Sequence, residues 1–288
     1  MSPQITPLSE DALIASLQQQ LAAPPVGTTG IGDDCAVLEQ GQLLKTDCVV
    51  EGKHYLPETP AHLVGRKAVA RVLSDIAAMG GTPEYILITC GLRPDTPLSY
   101  IEELYDGINT LCREHQTYVM GGETVVLPSG SAPFYSISGY GRADTPILRS
   151  TAQVGDLIYV TGSLGNTFLS EHHLLFTPRL QEAQWLCQHA CPSAMMDLSD
   201  GLARDLPRLA HMSHIGYQID LESLPLRAGA TIESALSDGE DYELLFTLPP
   251  HLAPHLSQAP FTCTHIGQMT ETTASPLSGG WDHLASSP

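Results

Sequence analysis

Residues 61–90 read AHLVGRKAVARVLSDIAAMGGTPEYILITC, and two periodicities meet in that stretch. Val64, Ala68, Val72, Ile76 and Met79 form one apolar stripe at helical spacing, which predicts a helix over 61–79. Gly80-Gly81 ends it. The β-branched, apolar run 85–90 then reads as a buried strand. Upstream, 34–38 and 43–50 read as strands joined by a short turn at 39–41. Downstream, Ser99 and Glu102 make a capping box that opens a second helix, to about His115. A strand at 117–120 runs into Gly121-Gly122-Glu123, and another follows at 134–141. Strands, helix, strand, helix, strands is the order of an α+β layer.

Beyond about residue 142 the pattern changes. Pro146 and Gly155 mark a connection, and the boundary is expected there, between an N-terminal α+β domain (1–148) and a C-terminal α/β sandwich (149–288). Strands at 157–161, 194–198, 217–221 and 242–248, with helical stretches to about 189 and a helix from Ser199, suggest a mixed sheet. A length of 288 residues suits two domains at ~150 each. Thirteen Lys and Arg against 32 Asp and Glu leave a net charge of −19. Such a chain lacks the basic face that nucleic acid or an anionic membrane requires. No apolar run nears the ~18 residues of a membrane span, and the start MSPQITPLSEDALIASL has neither the basic end nor the apolar stretch of a signal peptide. Seven scattered cysteines do not form a disulfide framework. The expectation is a soluble, cytoplasmic protein.

Acids stand at the ends of the predicted elements: Asp33-Asp34, Asp47, Asp75, Glu123, Asp197, Asp200 and Glu240-Asp241. Each alone reads as a turn residue or a cap. Together they read as a site for hard divalent cations, since Mg²⁺ takes oxygen ligands and is usually shared with substrate phosphates. Asp75 falls in the last turn of its helix, where the dipole disfavours an anion, and Arg71 precedes it in the poorer order for a helical ion pair. In Asp197-Leu198-Ser199-Asp200-Gly201, Ser199 reads as an N-cap with Asp200 in the first turn. Two carboxylates at one strand end also repel, by ~4 kcal/mol at 4 Å and an effective dielectric of 20, and a cation would relieve that. Glycine turns at 30–34, 121–124 and 162–167 could bring backbone N–H groups to an anion, although glycine serves ordinary turns equally. The sequence has no Walker A loop, dinucleotide fingerprint or G-x-S-x-G. Carboxylates and glycines without a P-loop lysine suggest metal-bridged polyphosphate. Cys187, His189 and Cys191, with His172 or His173, could hold zinc, but their spacing is unfamiliar and core or surface roles are the better reading. His54 shares a loop with the Asp47 strand and reads as a ligand, a substrate contact or a structural residue.

The segments GIGDDCAVL, TDCVVEGKHYLPE, KAVARVLSDIAAMGGTP, GGETV, ILRSTAQVGDLIYVTGSLG, MDLSDGLARDL, GEDYELLFT and GWDHL, in this order, resemble the thiamine-monophosphate kinase family. The wider group includes aminoimidazole ribonucleotide synthetase and selenophosphate synthetase. The resemblance implies ATP-dependent phosphorylation of thiamine monophosphate with several Mg²⁺ ions, and a homodimer whose N-terminal sheets join into a β-barrel. It places Asp34, Thr46, Asp47, Asp75, Glu123, Asp197 and Asp200 on metal-binding positions. Gly122, Glu123, Arg149 and Ser199 fall on ATP-binding positions, and His54, Glu240 and Trp281 on thiamine-binding positions. No covalent or acid/base residue is implied. The chain departs from the pattern in Lys45, where a small hydroxyl residue is usual, in Glu123 for Asp, and in a short 165–197 segment. Lys45 and Glu123 keep two other readings open: a catalytically weakened paralogue that binds nucleotide or thiamine phosphate, or a relative that phosphorylates another acceptor.

Overall fold

The computed structural model describes residues 9–281. In chain order the elements are α1 (Glu10–Gln18), β1 (Ala36–Val37), β2 (Gln42–Val50), α2 (Ala61–Ala78), β3 (Thr82–Leu92), α3 (Leu98–Glu114), β4 (Tyr118–Val126) and β5 (Phe134–Arg142). There follow β6 (Leu157–Thr161), α4 (His172–Leu175), α5 (Leu180–His189), β7 (Ala194–Asp197), α6 (Leu202–Met212), β8 (Gly216–Ile219), α7 (Ile232–Ser237), β9 (Leu244–Leu248) and β10 (Cys263–Thr270). The strands form two five-stranded sheets, ordered β1-β2-β5-β3-β4 and β7-β9-β6-β10-β8.

In the first sheet only β3 and β4 pair in parallel. The expected turn at Gly121-Gly122 is instead part of β4, which runs straight through both glycines. A register shift opposite Ile86 and Leu87 lies at the first, Gly121, with φ +148°. At Gly122 a Cβ would lie 1.8 Å from the Ile88 carbonyl oxygen, so only glycine lets the strands close. The capping box at Ser99 also does not form. The helix begins at Leu98 behind Pro97, which makes no side-chain cap. The second sheet is antiparallel throughout, not mixed. Its central β10 was not anticipated, because CTHIGQMT carries little alternation.

The helix expected to bury one stripe is buried nearly all round: fifteen of the eighteen residues of α2 are inaccessible. One side packs on β2 and β5, the other on α4, α5 and β7. The crossing with α3 is close because Gly65 and Gly107 face backbone, where added Cβ atoms would lie 2.1 Å from the Leu104 oxygen and 1.9 Å from the His62 oxygen. A single apolar core runs from Leu43, Val72 and Ile137 of the first half to Leu186, Met195 and Phe246 of the second. A smaller one, around Leu206, Leu245 and Ile266, lies in the second half.

Among the described residues nothing covers the other face of the first sheet. One cross-strand row on it holds Leu44, Tyr140, Tyr85 and Tyr118, and Tyr85 stacks on Tyr140 at 6.0 Å. Leu87 on the same face is 50% exposed.

Candidate active site

Because α2 is wedged between two sheets, the polar residues on its buried sides are shielded from bulk water and must find partners. Lys67, Arg71 and Asp75 recur every four residues along it, so they share one side of the helix, and each finds one. Lys45 on β2 places its Nζ 2.8 Å from Asp75 Oδ1. Arg71 pairs with Asp47 at 3.0 Å, not with Asp75, and donates to the Cys48 carbonyl at 2.9 Å.

Asp75 belongs to a buried group. Oxygens of Asp34, Asp75 and Asp197 all lie within 4.8 Å of one another. They come from three places: the loop before β1, the end of α2 and the end of β7. Asp34 pairs with Arg149 through Oδ1, while its buried Oδ2 has no hydrogen-bond partner. Asp33 beside it accepts from the Arg149 backbone N–H at 3.1 Å. Asp197 accepts from the Ser74 hydroxyl at 2.6 Å and forms no ion pair among the described residues. Burial, and then the neighbouring Asp34, push Asp197 up to about 7. The same two causes push Asp33 up to about 6. Asp75 is raised well above the carboxylate range by burial, against the opposing pull of Lys45. An all-oxygen, strongly anionic donor set with an orphaned buried oxygen fits a hard cation such as Mg²⁺.

Asp200 is not part of this group; it pairs with Arg208 at 2.5 Å. Ser199 does not cap the next helix. Gly201, at φ +97°, takes that position. Asp205, inside the first turn, instead accepts from the Ser199 and Asp200 N–H groups at 3.0 and 2.9 Å. A left-handed glycine followed by a buried acid does the work expected of the serine.

Two turns earlier on the same side of α2, the wholly buried Lys67 donates to the His54 carbonyl at 2.6 Å and to Glu240 Oε2 at 2.7 Å. His54 Nδ1 accepts from the Val50 N–H at 3.0 Å, which leaves the proton on Nε2. Lys53 lies over the Trp281 ring, 4.9 Å from its centre. Lys67 and Lys53 thus tie Glu240 and Trp281 of the second half to the loop around His54 in the first. Asp282, His283 and Leu284 of the GWDHL segment lie outside the described residues.

Two expected site residues are elsewhere within the chain. Thr46 and Glu123 project to the uncovered face: Thr46 lies in register with Ser138 and Leu87, and Glu123 with Thr89 and Ser136. Asp47, one residue from Thr46, faces the helices. The 162–167 turn does not offer all its donors to an anion. The Gly165 N–H goes to Asp241 at 2.9 Å and that of Asn166 to Asp238 at 2.8 Å. Cys187, His189 and Cys191 do not gather around a metal position. Among the described residues Asp34, Asp75 and Asp197 are the one such group, and His189 stacks on Trp185.

Residues 32–143 match the family profile described as AIR synthase related protein, N-terminal domain. The thiamine-monophosphate kinase of Rhodopirellula baltica is 33% identical over 303 residues, covering 96% of this chain and 93% of its own. This chain belongs to the thiamine-monophosphate kinase family. The family's protein from Salmonella typhimurium is 35% identical, with 84% of each chain covered. Among solved structures, AaThiL complexed with AMPPCP and TMP has a TM-score of 0.87 at 30% identity, over 98% of this chain and 99% of that one. In this member of the thiamine-monophosphate kinase family the clustered Asp34, Asp75 and Asp197 stand among the acids that the sequence singles out, whereas the contacts of Lys67, Arg71, Ser74, Asp205 and Arg208 are not legible there. The signal for the first two was present, a polar four-residue repeat within an otherwise apolar helix.

Proposed function

We infer that the chain transfers the γ-phosphoryl group of ATP to thiamine monophosphate, giving thiamine diphosphate. The observation that carries this is the buried Asp34–Asp75–Asp197 group in a chain of this family, with the Lys67-anchored wall of His54 and Glu240 beside it. We assign Asp34, Asp47, Asp75, Asp197 and Asp200 to Mg²⁺, Arg149 and Ser199 to ATP, and His54, Glu240 and Trp281 to the thiamine phosphate. Bound Mg²⁺ would supply charge neutralisation between two phosphates that otherwise repel. The acceptor needs no general base, since a phosphate monoester is already largely deprotonated at pH 7. The protein's part is therefore positioning. Lys67 holds the His54 loop and Glu240 in one register, and Arg149 links Asp34 to the loop between the sheets. Trp281 offers a ring face to the pyrimidine or the thiazolium cation, a place taken by Lys53 in this structure.

Thr46, Gly122 and Glu123 we assign to ions and nucleotide as well. The places of Thr46 and Glu123 on the uncovered sheet face suit a site completed across a homodimer, in which two N-terminal sheets close into a barrel. The exposed row of Leu44, Tyr85, Tyr118 and Tyr140 supports the same pairing. No described helix is long and apolar enough to cross a membrane. The test is a steady-state assay with ATP, Mg²⁺ and thiamine monophosphate. Thiamine diphosphate is the expected product, and its absence at every Mg²⁺ level would overturn the reading. ATP consumption with other acceptors only would favour a relative of different specificity.

A further inference from the structure

We propose that the Lys45 ammonium is a resident cation of the phosphoryl-transfer site, so that each site takes one divalent ion fewer than it would with a small hydroxyl residue at position 45. This rests on the function inferred above and concerns the same site. Lys45 and Asp47 lie two residues apart on β2, so both side chains project to the helix-packed face. Nζ of Lys45 is 2.8 Å from Asp75 Oδ1, and the Asp75 side chain is 9% exposed. An ion bound to that oxygen would sit at about 2.0–2.1 Å, in space the tethered ammonium already fills. Asp75 therefore keeps one carboxylate oxygen for a metal instead of two, and its capacity to bridge ions is halved.

The charges around it point the same way. Asp33, Asp34, Asp47, Asp75, Asp197 and Asp200 are met by Lys45, Arg71, Arg149 and Arg208. The formal remainder is two negative charges, which one divalent ion cancels. With an uncharged side chain at position 45 the remainder would be three, and one such ion would not suffice. A lysine ammonium cannot ligate a metal, but it can stand in for one electrostatically at a carboxylate.

The experiment counts bound Mn²⁺ per protomer by equilibrium dialysis with a non-hydrolysable ATP analogue present, for the full chain and for Lys45→Ser and Lys45→Arg. Lys45→Ser is expected to bind one more ion per protomer, and Lys45→Arg the same number as the parent. An unchanged count in folded Lys45→Ser overturns the proposal. Should that variant fail to fold without metal, thermal melts of Lys45→Met decide instead. Its melting temperature should rise more with Mg²⁺ than the parent's does, and an equal rise overturns the proposal. Failure of the kinase reading is seen separately: a parent that makes no thiamine diphosphate yet shows the ion difference keeps the cation role and loses the substrate. A parent that makes the diphosphate without the ion difference loses only the role of Lys45.

Discussion

Asp197 is buried, faces two other carboxylates and has only a serine hydroxyl to hold it. Asp197→Asn keeps that hydrogen bond and removes the charge. Its kcat should fall at least ~10²-fold through lost electrostatic positioning, while a melt of the metal-free variant should be level with the parent or higher. The same crowding sets a pH dependence. Asp33 and Asp197 titrate near 6 and 7 in the folded state, above the ordinary 3.8, so the native protein binds more protons than the unfolded chain between about pH 4 and 7. Their contribution to stability is whole below that window and is lost as pH rises through it. Asp47, lowered despite burial by Arg71 and Lys45, acts oppositely and only below the window. The change in melting temperature of metal-free protein from pH 8 to pH 5 should therefore be more favourable in the parent than in Asp197→Asn, with added Mg²⁺ narrowing the difference. At this scale the sequence displayed Asp34, Asp75, Asp197 and Lys45 but hid that Lys67 and Arg71 are the buried partners of Glu240 and Asp47. A lysine or arginine within a helix reads as solvated until the helix is known to be wedged between two layers.

Among the elements, α2 and β4 were legible in place but not in environment. The stripe of Val64, Ala68, Val72, Ile76 and Met79 located α2 correctly, yet burial on the far side depends on α4, α5 and β7, which lie about a hundred residues downstream and leave no periodic trace. In β4, glycines read as a turn because a turn is their commonest use. Their actual cause, a bulge and a close backbone approach, belongs to the partner strand. The α2–α3 crossing gives a test of such contacts. Gly107→Ala adds a methyl 1.9 Å from the His62 carbonyl oxygen. Overpacking of ~1–3 kcal/mol should exceed the ~1 kcal/mol gained in helix propensity, because backbone cannot rotate aside. Urea unfolding should show a net loss of up to about 2 kcal/mol.

For the whole molecule, the uncovered sheet face carries the expectation of a homodimer. Leu87 lies on that face, half exposed, so Leu87→Lys should leave the fold intact and shift sedimentation from dimer to monomer. A parent that sediments as a monomer would refute the pairing. The strands up to 142 and those from 157 form two separate sheets, and that change of pattern shows in the sequence because patterning is local. That one core joins the halves does not show there.

The wedged helix also governs how the chain is made. When residues up to 142 have left the ribosome, α2 can lie on its own sheet, but its outer side is covered only as α4, α5 and β7 emerge. At about 10 residues per second that is a wait of roughly five seconds. The newborn first half is therefore a natural client for chaperones, and its lasting fold is reached only after the second half has been synthesised.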